Sequence, residues 1–198
     1  MGGVKTTLID HRSDEFLVKK LHQLLDKAEI VIAQNGDRFD IRKIRTRMIK
    51  YGLPPPSPFR TIDTLKVARR YFGFTFNSLN ELAIFLGIKG KIKTNKELWF
   101  GCMEGEANAL KKMARYNQND VRVLKEVYLK LRPWITNHPN LGIYSEKNAC
   151  PKCGSRKLER RGYQYNNTTK YARIKCKDCA GWSRLNINLN ENKQLTSI

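Results

Sequence analysis

Acidic residues are scarce in this sequence. Its 198 residues include 18 Asp and Glu against 38 Lys and Arg, leaving a formal charge of +20 and a pI near 10.0. Such an imbalance raises the local concentration of polyanions, so nucleic acid is the natural partner. Simple solubility does not require it. Long apolar runs are lacking, as is any Lys-rich amphipathic helix with an aromatic face, which argues against a membrane partner. The opening Met1-Gly2-Gly3-Val4-Lys5 has no apolar stretch of the kind secretion needs, so a cytoplasmic location is expected. Met1-Gly2 with Thr6 fits a myristoylation pattern and is read as chance. Histidine is rare. His11, His22 and His138 lie in unrelated segments, and none is assigned a ligand role. Five cysteines in an intracellular chain argue for metal rather than disulfides. There is no internal repeat and no low-complexity tract.

What is present suffices for a core, since hydrophobic residues make up 40% of the chain. Strand–helix alternation predicts an α/β body over residues 1–135, with helices over a mixed sheet. Val4 to Asp10 reads as an edge strand. A helix starts at Ser13 or Asp14, with Leu17, Leu21, Leu24, Leu25 and Ala28 as its apolar stripe. Ile30-Val31-Ile32-Ala33 reads as a buried strand of a parallel sheet. Asn35-Gly36-Asp37 ends it and caps a second helix that buries Phe39, Ile41, Ile44 and Met48. That helix's other face carries Arg38, Arg42, Lys43, Arg45, Arg47 and Lys50. After a proline-rich loop, Phe59 to Asp63 reads as a strand, and Leu65 to Phe72 and Leu79 to Leu86 as helices. Gly90 to Asn95 reads as a basic loop, and Glu104 to Leu131 as helix. Trp99 and Trp134 are expected to anchor packing, and Cys102 to be a small buried residue. Residues 136–148 read as a linker, and 149–198 as a second, smaller unit.

The second unit carries eleven Lys or Arg against three Asp or Glu, so both units are basic. Cys150-Pro-Lys-Cys153 and Cys176-Lys-Asp-Cys179 are two C-x-x-C pairs separated by 22 residues. Each pair can chelate from a tight turn, and together they complete one tetrahedral Zn²⁺. Gly154 and Gly181 let those turns pass close to the sulfurs. Between the pairs, Tyr163, Tyr165, Tyr171 and Ile174 alternate with polar residues, as strands do. The expectation is a zinc ribbon whose structural metal supplies most of its folding energy. Tyr163, Tyr165 and Trp182 read either as its mini-core or as rings that stack on bases.

Two carboxylate signals stand in the first unit. Asn35-Gly-Asp-Arg-Phe-Asp40 puts Asp40 in the first turn of a helix leaving a buried strand, at the sheet edge where α/β folds build sites. Tyr116-Asn-Gln-Asn-Asp120 puts Tyr116 and Asp120 on one helix face. In this order and separation the two strings resemble the second and third motifs of the DEDD exonuclease superfamily, in its tyrosine-bearing branch. That branch includes the proofreading 3′–5′ exonucleases of family B DNA polymerases and related ribonuclease H-like proteins. Thr61-Ile-Asp-Thr-Leu-Lys-Val-Ala-Arg69 and Ser78-Leu-Asn-Glu-Leu-Ala83 with Leu86-Gly87 are similar to the segments between those motifs. The resemblance covers about Asp14 to Trp134, and the cysteine-bearing tail is similar to that of phage-type relatives.

The resemblance implies a ribonuclease H-like fold and phosphodiester hydrolysis with two Mg²⁺ or Mn²⁺ ions, roughly 3.5–4 Å apart. It makes Asp40 and Asp120 metal ligands and gives Tyr116 the task of orienting the water. Asn35 would position the substrate strand or the motif's own loop, and Arg38 and Arg42 would hold the substrate, with single-stranded DNA favoured, in a bacterial or phage-infected cytoplasm. The superfamily's first motif, Asp-x-Glu, is not found upstream of Asn35. Asp14 and Glu15 read instead as helix-start charges. The expected sheet is therefore truncated at its N-terminal side. Three readings follow: a fragment of a longer enzyme, half of an enzyme completed by another polypeptide, or an inert fold that only binds nucleic acid.

Overall fold

The computed structural model describes residues 13–88, 94–145 and 148–190. The chain divides into two compact units, Met1–Tyr128 and Leu129–Ile198. The expected strand at Val4 to Asp10 and most of the basic loop at Gly90 to Asn95 lie outside the described residues.

In the first unit, α1 (Glu15–Asp26) leads to β1 (Ile30–Ala33), then α2 (Asp40–Lys50), β2 (Arg60–Asp63) and α3 (Thr64–Tyr71). β1 and β2 pair in parallel, Ile30 with Arg60 through Ala33 with Asp63. A parallel pair requires a crossover, and α2 supplies it. The wholly apolar β1 was expected to be buried, but each of its four residues is only half-buried. Among the described residues its sheet has two strands, so one edge of β1 has no strand neighbour.

α1 packs on α2 through Val18, Leu25 and Met48, with Leu21, Val31, Ile44, Tyr51, Leu53 and Phe59 around them. The buried stripe of α1 is therefore centred on Val18 and Leu25, and the expected Leu17 and Leu24 stay 37% and 46% exposed. Phe39 was expected in the core but is exposed, because it sits in the turn before α2. That turn caps no orphan N–H with a side chain. The Asn35 and Gly36 carbonyls instead accept from the Phe39 and Ile41 N–H groups. Asp14 does not cap α1 either. It forms a two-pronged ion pair with Arg47, whose Nε lies 2.6 Å from Oδ2, and it accepts the Tyr51 hydroxyl.

α4 (Leu79–Phe85) is capped by the Ser78 hydroxyl. α5 (Lys96–Met103) was not expected. The Asn95 side chain starts it by accepting from the Leu98 N–H at 3.1 Å. α6 (Ala107–Leu131) runs unbroken for 25 residues. Gly101 lets α5 and α6 meet: a Cβ there would stand 2.9 Å from that of Ala109. Trp99 and Trp134, expected as packing anchors, are 54% and 61% exposed, and Cys102 is half-buried rather than buried.

The second unit is a three-stranded antiparallel sheet of β3 (Leu158–Tyr165), β4 (Lys170–Cys176) and β5 (Trp182–Arg184), with β4 central. Short 3₁₀ turns at Arg132–Trp134 and Leu141–Tyr144 precede it. The Leu141 N–H donates to the Pro151 carbonyl at 2.8 Å, and buried Lys152 donates to the Pro133 carbonyl. Among the described residues no helix is long and apolar enough to cross a membrane.

Candidate functional site

The carboxyl ends of β1 and β2 meet at a turn built on Asn35, Gly36 and Asp37. Asn35 takes a left-handed φ of 60°, which asparagine tolerates better than other residues with a side chain. Gly36 is required for a different reason. A Cβ on it would lie 2.3 Å from that of Ala33 and 3.8 Å from Oδ2 of Asp40. The turn thus folds back tightly against β1 and brings the Asp40 carboxylate beside it.

Asp63, at the end of β2, holds the turn in place. It is buried, and its Oδ1 accepts the Asn35 N–H at 2.8 Å and the Leu65 N–H at 3.0 Å. Its Oδ2 lies 3.4 Å from the Asp37 nitrogen. One carboxylate therefore caps α3 and anchors the turn that presents Asp40. Fully buried Thr64 extends the anchoring by donating to the Ala33 carbonyl at 3.0 Å. Sequence reasoning gave Asp63 no role, although an Asp directly before a helix signals an N-cap.

Asp37 pairs with Lys66 at 2.6 Å. Burial works to raise its pKa, but hydrogen bonds from Lys66 and Thr61 outweigh that and hold it below the ordinary carboxylate value. Asp40 itself lies exposed in the first turn of α2, as expected from the sequence, and Arg38 and Arg42 are exposed beside it. Gln34 donates to the Asn77 carbonyl at 2.8 Å. That bond ties the turn to the rim of a cleft of about 400 Å³ lined by Phe72, Phe74, Phe76, Ile84 and Phe85.

On α6, Tyr116 and Asp120 are both half-buried. Burial raises the Tyr116 pKa, and the hydrogen bond its hydroxyl gives to Asp120 raises it further. The phenol is thus kept protonated as a donor. Among the described residues, Asp40 and Asp120 are not gathered with a third carboxylate or histidine into a metal-binding group. Two carboxylates do not by themselves build a two-metal clamp.

The four cysteines of the second unit do converge. Their sulfurs all lie within 4.8 Å of one another, with Cys150–Cys179 and Cys153–Cys176 each at 3.6 Å. A tetrahedron of sulfurs about 2.3 Å from a central Zn²⁺ has edges of roughly 3.8 Å, so the set suits such an ion. Each pair sits in a similar turn. The residue after the second cysteine is left-handed in both, Gly154 at φ 74° and Ala180 at φ 57°. The Gly154 N–H returns to the Cys150 carbonyl, and the Cys176 N–H donates to the Gly181 carbonyl. Gly181 must lack a side chain, because a Cβ would stand 2.9 Å from the Lys152 stem and 3.1 Å from Cys179 Sγ. Burial raises the Cys176 pKa, but the Cys179 and Asp178 backbone N–H groups outweigh it and pull the value down to about 7, whereas burial pushes the Cys153 and Cys179 thiols up.

Compared with known proteins, residues 3–132 match a family described as the RNase H superfamily. No curated protein matches the chain.

Proposed function

The chain belongs to the ribonuclease H superfamily, and from that premise we propose that it acts on nucleic acid as a metal-dependent 3′–5′ exonuclease. The observation that carries this reading is the presentation of Asp40. An exposed carboxylate leaves the first turn of α2 beside a turn locked by Gly36 and Asp63, at the carboxyl end of a parallel strand pair. Asp40 and Asp120 offer the hard oxygen atoms that Mg²⁺ and Mn²⁺ take. When bound, such ions activate water and stabilise the leaving 3′ oxygen.

On this reading Asp40 and Asp120 are the chain's own share of the site. The remaining carboxylates come from outside the described residues or from another polypeptide. Tyr116 orients the attacking water through its hydroxyl. Asn35 shapes the substrate side of the turn, and Arg38 and Arg42 grip phosphates, with a single strand of DNA as the favoured substrate. The four cysteines hold one Zn²⁺, which makes the second unit a zinc ribbon with a structural metal.

The test is shortening of a 5′-labelled single-stranded oligonucleotide in Mn²⁺. Laddering from the 3′ end that disappears in Asp120→Ala supports the reading. A second reading, nucleic-acid binding without cleavage, is favoured because, among the described residues, Asp40 belongs to no group of three carboxylates or histidines able to hold a metal ion. Salt-sensitive binding with no laddering under any divalent ion would select it.

A further inference from the structure

Strand pairing sorts the aromatic residues of the cysteine-bearing sheet onto two faces. Side chains alternate along a strand, and residues directly opposite across a pair share a face. On β4, Ala172, Ile174 and Cys176 are buried, so Tyr171, Arg173 and Lys175 take the other face. Arg173 pairs with Arg184 and Lys175 with Trp182, which places both β5 residues on that outer face. Tyr163 pairs with Ala172 and so belongs to the opposite side, together with Tyr165.

The outer face is a run of alternating rings and cations. The Arg184 guanidinium lies 3.9 Å from the Tyr171 ring centre, and that of Arg173 lies 4.9 Å from Trp182. Lys175 Nζ is 5.8 Å from the same indole. Trp182 is 44% exposed. Glu159 is the carboxylate opposite Lys175, and it is paired with Arg161 at 3.3 Å. The surface therefore offers positive charge and flat π systems together. Phosphates need only the charge, and the exposed indole adds what an unpaired base needs. A duplex hides its bases and would use the cations alone.

We propose that this outer face binds a single strand of nucleic acid. Bases stack on the exposed Trp182, and Arg173, Lys175 and Arg184, the last held over the Tyr171 ring, hold the phosphates. The proposal rests on the reading that nucleic acid is the partner but requires no hydrolysis, so its test is run without added Mg²⁺ or Mn²⁺.

The experiment is fluorescence anisotropy with the full, zinc-loaded chain and three probes: an oligothymidine of about 20 nucleotides, an abasic strand of equal length, and a duplex. Trp182→Ala weakens oligothymidine binding about tenfold and leaves abasic binding within about twofold of wild type. Trp182→Phe recovers most of the loss with zinc content unchanged, which separates stacking from misfolding. Arg173→Ala,Arg184→Ala weakens both strands and lowers the slope of log affinity against log salt by about 1.4. Three results would overturn the proposal. These are Trp182→Ala binding oligothymidine like wild type, an equal loss on the abasic strand, or duplex or an acidic peptide competing as well as oligothymidine. Failure of the nuclease reading would show as absence of cleavage and leave these affinities unchanged.

Discussion

Asp63 Oδ1 accepts the backbone N–H of Asn35 at 2.8 Å, across the ends of the two parallel strands. The same oxygen caps α3 by accepting the N–H of Leu65 in its first turn. The fold of the turn that presents Asp40 thus depends on a carboxylate 28 residues downstream. Asp63→Ala leaves these donors unpaired and should lower stability by about 2–3 kcal/mol in urea unfolding. Asp63→Asn keeps an acceptor oxygen and should cost less than half as much. Equal losses in the two variants would show that the hydrogen bonds are not the source.

Gly36 is the second support of that turn. Gly36→Ala introduces a carbon 2.3 Å from the Ala33 Cβ, which forces the turn off β1. The expected cost is about 1–3 kcal/mol. Removing the opposing carbon in Gly36→Ala,Ala33→Gly should recover part of it, and a strictly additive double variant would refute the contact.

Asp14, Arg47 and Tyr51 form the clearest pH-sensitive contact. Hydrogen bonds from Arg47 and then Tyr51 pull the Asp14 pKa down to about 2. Because the folded value lies below the unfolded one, the contact stabilises the protein above about pH 4. The contribution is lost as pH falls toward 2. The Asp14 side chain is 35% exposed, so solvent screening limits the effect to about 0.5–1 kcal/mol. Asp14→Asn should lose that amount at pH 7 and match the wild type near pH 2. A difference that persists unchanged at pH 2 would contradict the assignment.

The four-cysteine site predicts about one Zn²⁺ per chain by metal analysis. Cys153→Ser should bind far less zinc and should lose amide protection at Ala172 and Ile174, in the central strand. Retained protection without metal would mean that the sheet stands on its own packing.

The parts that were legible in the sequence are those fixed by local spacing. Two C-x-x-C pairs specify a convergent sulfur set whatever surrounds them, and the sulfurs do converge. The β1–turn–α2 order placed Asp40 in a first helical turn, where the structure has it. What was not legible depends on nonlocal geometry. Asp63 matters because Asn35 turns left-handed and aims its N–H at it, and neither residue reveals that alone. Ile41, Ile44 and Met48 keep helical spacing, but Phe39 lies about half a turn round from them and just before the helix begins, so its ring is exposed. Nothing in the spacing of Cys150-Pro-Lys-Cys153 signals that Lys152 is buried, with its stem close against Gly181 and its amine on the Pro133 carbonyl. Asn95 did carry a readable cap signal for α5, which the basic stretch before it obscured.

The central claim is that Asp40 and Asp120 serve one hydrolytic site. It is tested most directly by comparing Mn²⁺-dependent cleavage of 5′-labelled single-stranded DNA by the wild type, Asp40→Ala, Asp120→Ala and the double variant. Residues acting as one unit give non-additive losses. Each single variant should fall by about 10³-fold or more, with the double variant no lower than either, while oligonucleotide binding persists in all. A wild-type rate in either single variant, or losses that simply add in the double variant, would contradict the account.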